Sequence, residues 1–480
     1  MVFSDLFFLF AFLPAFFLCY NIIGRVGKGC TARNMILIVF SLLFYAWGEP
    51  VYVVLMLASS VINYVAGKVI DGKRGKRKAA LVVGVAINIT ILAIFKYLGF
   101  LLETFTGISS FIIGTDAANY SISDLHIALP IGISFYTFQS ISYLVDVYRG
   151  EARAQKSYMG LLLYISMFPQ LIAGPIVRYG TVETEITNRR ATQSDMAEGL
   201  YRFAIGLAKK VIIANQLSEI SAQMLDNPAN LMSQAGAWVG LLAFTLQIYY
   251  DFSGYSDMAI GLGRCMGFHF NENFNHPYCC GSVTDFWRRW HMSLGSFFRD
   301  YVYIPMGGNR RHQPINILVV WFLTGMWHGA SWNFIIWGLW FGFFVMIEKY
   351  TLLRIKSRMA IPFMHLYALI VVVMGWGIFY YEDLGQALNL YNCLFGNGPS
   401  ADSLTAEMAF TGKMWIWIIA LIMCLPIRRW AKNIAENLIP RSIWPIALYG
   451  SRIIITIGIL ILSTCLLVGA TNNAFIYTRF

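Results

Sequence analysis

Apolar runs without a Lys, Arg, Asp or Glu recur along the chain: Asn34 to Trp47, Ala79 to Phe95, Ile127 to Val145, Met364 to Tyr381 and Ile453 to Ala474. A helix needs roughly 20 residues to cross bilayer hydrocarbon, and several of these runs reach or approach that length. Their flanks are helix-type, so the pattern predicts an all-α polytopic bundle and not a barrel. At that spacing about ten or eleven crossings, with shorter pieces between them, fill the chain. Two stretches break the pattern. The span from Ala128 to Arg149 carries Ser134, Thr137, Gln139, Ser140, Ser142 and Asp146, which must pair with neighbours or face a wet cavity. Met167 to Gly180 holds Pro169, Gly174, Pro175 and Gly180 in a short apolar piece, which predicts a broken or re-entrant segment. Thr181 to Glu198 is polar enough to lie at the cytoplasmic interface.

Composition sharpens this picture. The 480 residues are 58% hydrophobic and only 13% charged, about half the charge that a soluble surface carries. The net charge of +11 sits in loops between apolar runs and forms no stripe of the kind that binds nucleic acid. Arg25, Lys28 and Arg33 lie between the first two apolar segments and Gly67 to Lys78 is strongly basic, whereas Glu49 and the loop from Glu103 to Leu125 are acidic. The positive-inside rule then places the N-terminus outside. Tyr381 to Gly412 and Arg428 to Arg441 repeat the alternation. The first residues lack the basic start and cleavage site of a secretory signal, so they are expected to stay as a first helix. Cys19, Cys30, Cys265, Cys279, Cys280, Cys393, Cys424 and Cys465 show no zinc spacing and are expected to act as small apolar packers, with no metal. Gly67 to Arg74 nearly spells a phosphate loop, but Arg74 replaces the needed hydroxyl and no strand precedes it. In Gly261 to Gly267 the dinucleotide spacing fails by one residue, and Gly263 and Gly267 are expected to serve close helix packing.

The chemistry concentrates between Asp285 and Trp337. His328 interrupts an apolar stretch whose flanks, Arg310 to His312 and Lys349 to Lys356, are both basic. Both ends are thus expected inside, with two short arms and the imidazole part-way through the membrane at a hairpin bend. A charged side chain at that depth costs roughly 2.5 kcal/mol or more and marks a functional site. The plainer alternative is a structural histidine satisfied in the core. The residues from Asp285 onward suit a short amphipathic helix on which Trp287 and His291 share a face and Asp285 pairs with Arg289. Arg288, Arg289 and Arg299 supply fixed positive charge suited to a phosphate-bearing donor, or equally to lipid head groups. Asp251 and Asp257 stand in an aromatic, small-residue helix, where a helix-bridging or cavity-lining role competes evenly with a catalytic one. His126, His269, His276, His312 and His365 lie in loops or near helix ends and are expected to be bystanders. There is no G-x-S-x-G elbow, so any catalysis is expected to be direct general-base chemistry.

The segments YYDFSGYSDMAIGLG, NFNHPY, TDFWRRWHMSL, RDYVYIPMGGNR and GMWHGASWNFIIWG, with FYAWGEP near the second helix, resemble the membrane-bound O-acyltransferase family, in particular its bacterial polysaccharide branch. The likeness spans nearly the whole chain as a single membrane domain, with the motif region at about 247–340. It implies a ring of helices, with re-entrant and interfacial pieces, around a central funnel or tunnel. It also implies that His328 is the principal catalytic residue and His291 the second. Trp287, Arg288, Arg289, Arg299, Trp327, Asn333, Asp251 and Asp257 are the accompanying donor- or substrate-binding candidates. The expected activity is O-acyl transfer, most directly O-acetylation of an extracytoplasmic polysaccharide, itself or through an exported transferase partner. Acetyl-coenzyme A or another acyl thioester serves as co-substrate, with no permanently bound cofactor, in a bacterial cell membrane. In that reading neutral His328 takes the acceptor's proton, while His291 orients the donor or hydrogen-bonds the oxyanion. A transporter or channel is the rival class, since broken polar helices also mark substrate paths, and a non-catalytic scaffold of an export complex is the third. Thioester consumption lost at His328 separates the enzyme from both.

Overall fold

The computed structural model describes residues 1–22, 24, 30–72, 74–113, 128–226, 232–354, 361–398, 403–438, 440, 444–470 and 475–476. Arg25, Lys28, residues 114–127 with His126, Lys356 and Arg441 lie outside the described residues. Among the described residues there are helices and no strand. Thr31–Gly48, Tyr52–Asp71, Arg77–Ser109, Ile361–Tyr380 and Ile446–Val468 are long and apolar enough to cross a bilayer, and the pair Leu404–Gly412 and Met414–Met423, bent by 61°, counts as a sixth. Other helices are shorter or carry polar groups, as the protein interior permits and lipid does not. The chain forms two compact units: Met1, Leu13–Arg189 and Met326–Ser331 in one, and Val2–Phe12, Arg190–Gly325 and Trp332–Phe480 in the other.

In the first unit, polar side chains join apolar helices. Asn63 and Asn88 exchange amide hydrogen bonds at 3.1 and 2.8 Å between Tyr52–Asp71 and Arg77–Leu92, the kind of polar contact that holds helices together in lipid. The polar helix Ile133–Arg149 is buried along most of its length, as Ser134, Thr137, Gln139, Ser140, Ser142 and Asp146 require. The stretch from Met167 is broken as its prolines predict: Tyr158–Ser166 stops, Phe168–Leu171 makes one turn, and helix resumes at Tyr179–Thr187. Side chains satisfy the freed backbone, with the Tyr164 hydroxyl donating to the Val177 carbonyl at 2.8 Å and the Phe168 N–H donating to Ser41 Oγ at 3.1 Å.

The second unit is built on Gln234–Cys265, a buried helix of 32 residues. It meets Gln193–Ala208 backbone to backbone: a Cβ on Gly261 would lie 2.6 Å from the Gly199 carbonyl oxygen, and one on Gly254 would lie 2.8 Å from that of Gly206. The small-residue contact expected of Gly263 and Gly267 is therefore made by Gly254 and Gly261. Gly263 instead faces the Phe270 ring, and Gly267 is a left-handed turn with φ +84°. Tyr255 on the same helix is stacked by Phe3 at 4.7 Å and met edge-on by Phe475 at 5.0 Å.

Candidate active site

The helix Gln313–His328 ends at the histidine, and after a short loop the chain resumes at Trp332–Tyr350. The hairpin bend expected at His328 is present. Its arms touch because they lack side chains at the crossing: a Cβ on Gly325 would sit 2.3 Å from the Phe334 carbonyl oxygen, and one on Gly338 would sit 2.3 Å from that of Trp321. His328 is buried, and its ring stands edge-on to the Trp327 indole at 4.9 Å. These two residues belong to the first unit.

His291 lies in the second unit, and its setting differs from the expected continuous helix. Val283–Arg289 stops, Trp290 is extended, His291 takes a left-handed conformation (φ 43°, ψ 53°), and Met292–Phe298 begins. Trp287 and His291 therefore share no helical face, although both line one cavity of about 360 Å³. A left-handed non-glycine residue stores strain and is held by its surroundings. Here the Met292 N–H donates to the Asn273 carbonyl at 3.0 Å, and the Phe252 ring meets the imidazole edge-on at 4.7 Å. His276 and His312 are the other left-handed non-glycine residues among those described.

Asn273 also fixes the histidine's tautomer. Its Oδ1 accepts the Ser293 N–H at 3.1 Å and the Ser293 hydroxyl at 2.9 Å, so that atom is the oxygen of the amide. His291 Nδ1 is 3.2 Å from the same oxygen and 3.4 Å from Ser293 Oγ, and an amide oxygen can only accept. Nδ1 is thus the protonated nitrogen and Nε2 carries the lone pair. Burial pushes the imidazole down to about 3, so it stays neutral. This revises the expectation that His291 donates to an oxyanion: its second nitrogen is an acceptor, suited to orienting a donor molecule through one of that molecule's own N–H or O–H groups.

The helix that carries the arginines is anchored at its start. The buried Glu348 carboxylate accepts the N–H groups of Val283 at 2.5 Å and Thr284 at 2.7 Å, and Ser282 Oγ accepts that of Asp285 at 3.0 Å. These bonds satisfy donors that a helix start leaves open. Trp287 then packs between Trp321 at 4.8 Å and Phe341 at 4.8 Å, which turns the helix toward the cavity. Arg288, Arg299 and Lys349 all line it, with Trp287, Trp321 and Thr324. Burial, with the Arg288 guanidinium nearby, lowers the Lys349 ammonium from its usual range. Arg299 is shared with Asp300, whose carboxylate accepts its Nε at 2.6 Å. Arg289 pairs with Asp285 at 3.0 Å, as the spacing predicts, and does not line the cavity.

The remaining candidates have other partners. Asp251 receives Lys210 Nζ at 2.6 Å and the Ile476 N–H at 2.8 Å. Asp257 receives Lys209 at 2.6 Å and Arg202 at 2.8 Å, beside a second, polar cavity of about 80 Å³. Both aspartates bridge elements, one of the two roles left open by the sequence. Asn333 donates through Nδ2 to the Tyr381 carbonyl at 2.9 Å and holds the second arm of the hairpin. Sequence reasoning missed Asn273, Lys349 and Glu348. Lys349 shows in the sequence only as the start of the basic flank after the motif, and Glu348 has no signal there.

Comparison with known proteins decides the family. The model of the MBOAT, membrane-bound O-acyltransferase family matches residues 151–386. A Pseudomonas aeruginosa protein named "Probable alginate O-acetylase AlgI" is 40% identical over 414 residues, covering 83% of this chain and 75% of the relative. The chain belongs to the membrane-bound O-acyltransferase family. A Helicobacter pylori "Peptidoglycan O-acetyltransferase" is 34% identical over 443 residues, covering 85% of this chain and 82% of the relative. A Bacillus subtilis "Teichoic acid D-alanyltransferase" is 29% identical over 224 residues, covering 44% and 56%. The protein is a multi-pass membrane-bound O-acyltransferase, and its cavity of basic, aromatic and histidine side chains is to be read within that family.

Proposed function

We propose that this O-acyltransferase takes an acetyl group from a cytoplasmic thioester and passes it across the membrane for O-acetylation of an extracytoplasmic polysaccharide, directly or through an exported transferase. The observation that carries the donor half is the grouping of Arg288, Arg299 and Lys349 around one cavity with neutral His291. Coenzyme A and carrier-protein phosphopantetheine both present phosphate and amide N–H groups, which match fixed cations at a rim and an acceptor nitrogen further in. The acceptor half follows the relatives' names, which are those of enzymes of alginate and peptidoglycan O-acetylation.

In this reading His328 takes the proton from the acceptor hydroxyl as its oxygen attacks the thioester carbonyl. The C–O bond forms, the C–S bond breaks, and the departing thiolate recovers the proton. His291 Nε2 accepts a hydrogen bond from the donor and holds it in place. The N-terminus lies outside, in a bacterial inner membrane. Purified full-length protein in detergent, given acetyl-coenzyme A or an acetylated carrier protein, is expected to release thiol as an added oligosaccharide hydroxyl, or water in its place, takes the acetyl group. His328→Ala is expected to abolish that release while leaving the protein folded, and retained release in that variant overturns the role given to His328.

A further inference from the structure

Lys96 stands inside Arg77–Ser109, a segment long and apolar enough to cross a bilayer, and yet it is buried. An ammonium at that depth is costly and persists where the surroundings give it a task. Its Nζ donates to the carbonyl oxygen of Trp327 and lies 3.4 Å from Ser134 Oγ and 5.9 Å from the centre of the Trp327 ring. The next residue does the same one position earlier: the Tyr97 hydroxyl donates to the Met326 carbonyl at 2.7 Å. Both carbonyls belong to the last turn of Gln313–His328. There the C=O groups have no partner within the helix, and the helix dipole concentrates negative partial charge. Lys96 and Tyr97 reach one helix end together because Ala93–Tyr97 is a π-helical turn, a local widening that recurs at functional sites.

The Trp327 indole is held on other sides as well, edge-on by Phe135 at 5.3 Å and tilted by Phe138 at 5.8 Å. The His328 ring in turn stands against that indole. His328 is the last helical residue before the loop, so a loosened final turn displaces its imidazole directly, and a shift of about 1 Å at a reacting group can cost roughly a hundredfold in rate.

We propose that Lys96 and Tyr97 form a clamp on the last turn of Gln313–His328 that sets the His328 imidazole, and that both are positioning residues for acyl transfer, acting through the Met326 and Trp327 carbonyls and the Trp327 ring. The proposal rests on the role given to His328 above. It places the demand on the charge of Lys96 as much as on its length, because an ammonium answers both the open carbonyl and the helix dipole.

The test is steady-state thiol release from acetyl-coenzyme A by full-length Lys96→Met, Lys96→Arg, Tyr97→Phe and His328→Ala, each checked for a monodisperse peak in detergent and an unshifted melting midpoint. Expected are a kcat at least about tenfold lower for Lys96→Met with the donor's KM unchanged, a smaller fall of about threefold for Tyr97→Phe, and near-full activity for Lys96→Arg. A folded Lys96→Met with wild-type kcat overturns the clamp. Where Lys96→Met does not fold, an unchanged kcat in Tyr97→Phe overturns it instead. Equal losses in kcat and donor affinity across the series also overturn it, since positioning of His328 leaves donor binding alone. Activity retained in His328→Ala sinks the reading on which the clamp rests, whereas loss in His328→Ala with full activity in Lys96→Met sinks the clamp alone.

Discussion

His291 Nδ1 and Asn273 Oδ1 lie 3.2 Å apart, and because that oxygen also takes the Ser293 N–H, the pair has one possible polarity. The histidine donates its Nδ1–H to the asparagine oxygen and turns a lone pair to the opposite side. A hydrogen bond that decides a tautomer is a sharper statement about chemistry than a histidine in a motif.

Replacing Asn273 by Ala removes the acceptor that selects this tautomer. A buried partner left unsatisfied costs about 1–3 kcal/mol, so kcat/KM for thioester consumption is expected to fall by about tenfold to a hundredfold. Asn273→Asp differs in kind, since its carboxylate favours the imidazolium. Its activity is expected to decline as pH falls through the neutral range, where the wild-type protein's does not decline on account of His291. Equal pH profiles for the two proteins count against the tautomer assignment.

The low value of His291, about 3, bears on stability as well. Its ordinary value in an unfolded chain is about 6.5. Between those limits the unfolded chain binds a proton that the native state refuses. Stability is therefore fully present above about 6.5 and drops as the pH is lowered toward 3, by about 1 kcal/mol per pH unit from this group. Melting midpoints in detergent between pH 7 and 4.5 are expected to fall less steeply in His291→Gln than in the wild-type protein, and parallel slopes refute this.

Arg288→Ala and Lys349→Ala each remove one cation from the cavity mouth. A charge-assisted contact to phosphate is worth about 1.5–3 kcal/mol, so the donor's KM is expected to rise about tenfold while kcat changes little. The increase should shrink at high salt, where the wild-type protein has lost the same attraction. A fall in kcat at constant KM assigns these residues to the chemical step and not to binding.

Glu348→Ala strips two backbone donors at the start of Val283–Arg289 of their shared carboxylate. The loss is expected to be about 2–4 kcal/mol of stability, measured as a lower melting midpoint. Glu348→Gln, which keeps one acceptor oxygen, should fall between. Because the same helix carries Trp287 and Arg288, the donor's KM is expected to rise with the loss of stability.

Several of these features are legible in the chain and others are not, for identifiable reasons. The hairpin at His328 shows as an apolar run punctuated by Gly325, His328 and Gly329, and the Asp285–Arg289 pair follows from helical spacing. The break at Trp290 and His291 is invisible, because no glycine or proline marks it and the left-handed turn is held by Asn273, 18 positions back and outside both short helices. Lys96 closes an apolar run and so reads as the edge of a membrane span, whereas the helix continues past it to Ile113. A charge at the end of a run and a charge buried within a span look alike until its carbonyl partners, more than two hundred residues away, are known.

Asp251 meets its second partner late in the chain. The Ile476 N–H that it accepts is 225 positions further along, and Phe475 closes over Tyr255 on the same helix. Until residues 475 and 476 have been made, that helix holds one buried carboxylate answered by Lys210 but not by the Ile476 N–H, and one ring stacked by Phe3 but not met by Phe475. A chain cut before Phe475 is therefore expected to leave the second unit unfinished at its centre, seen as a lower melting midpoint in detergent.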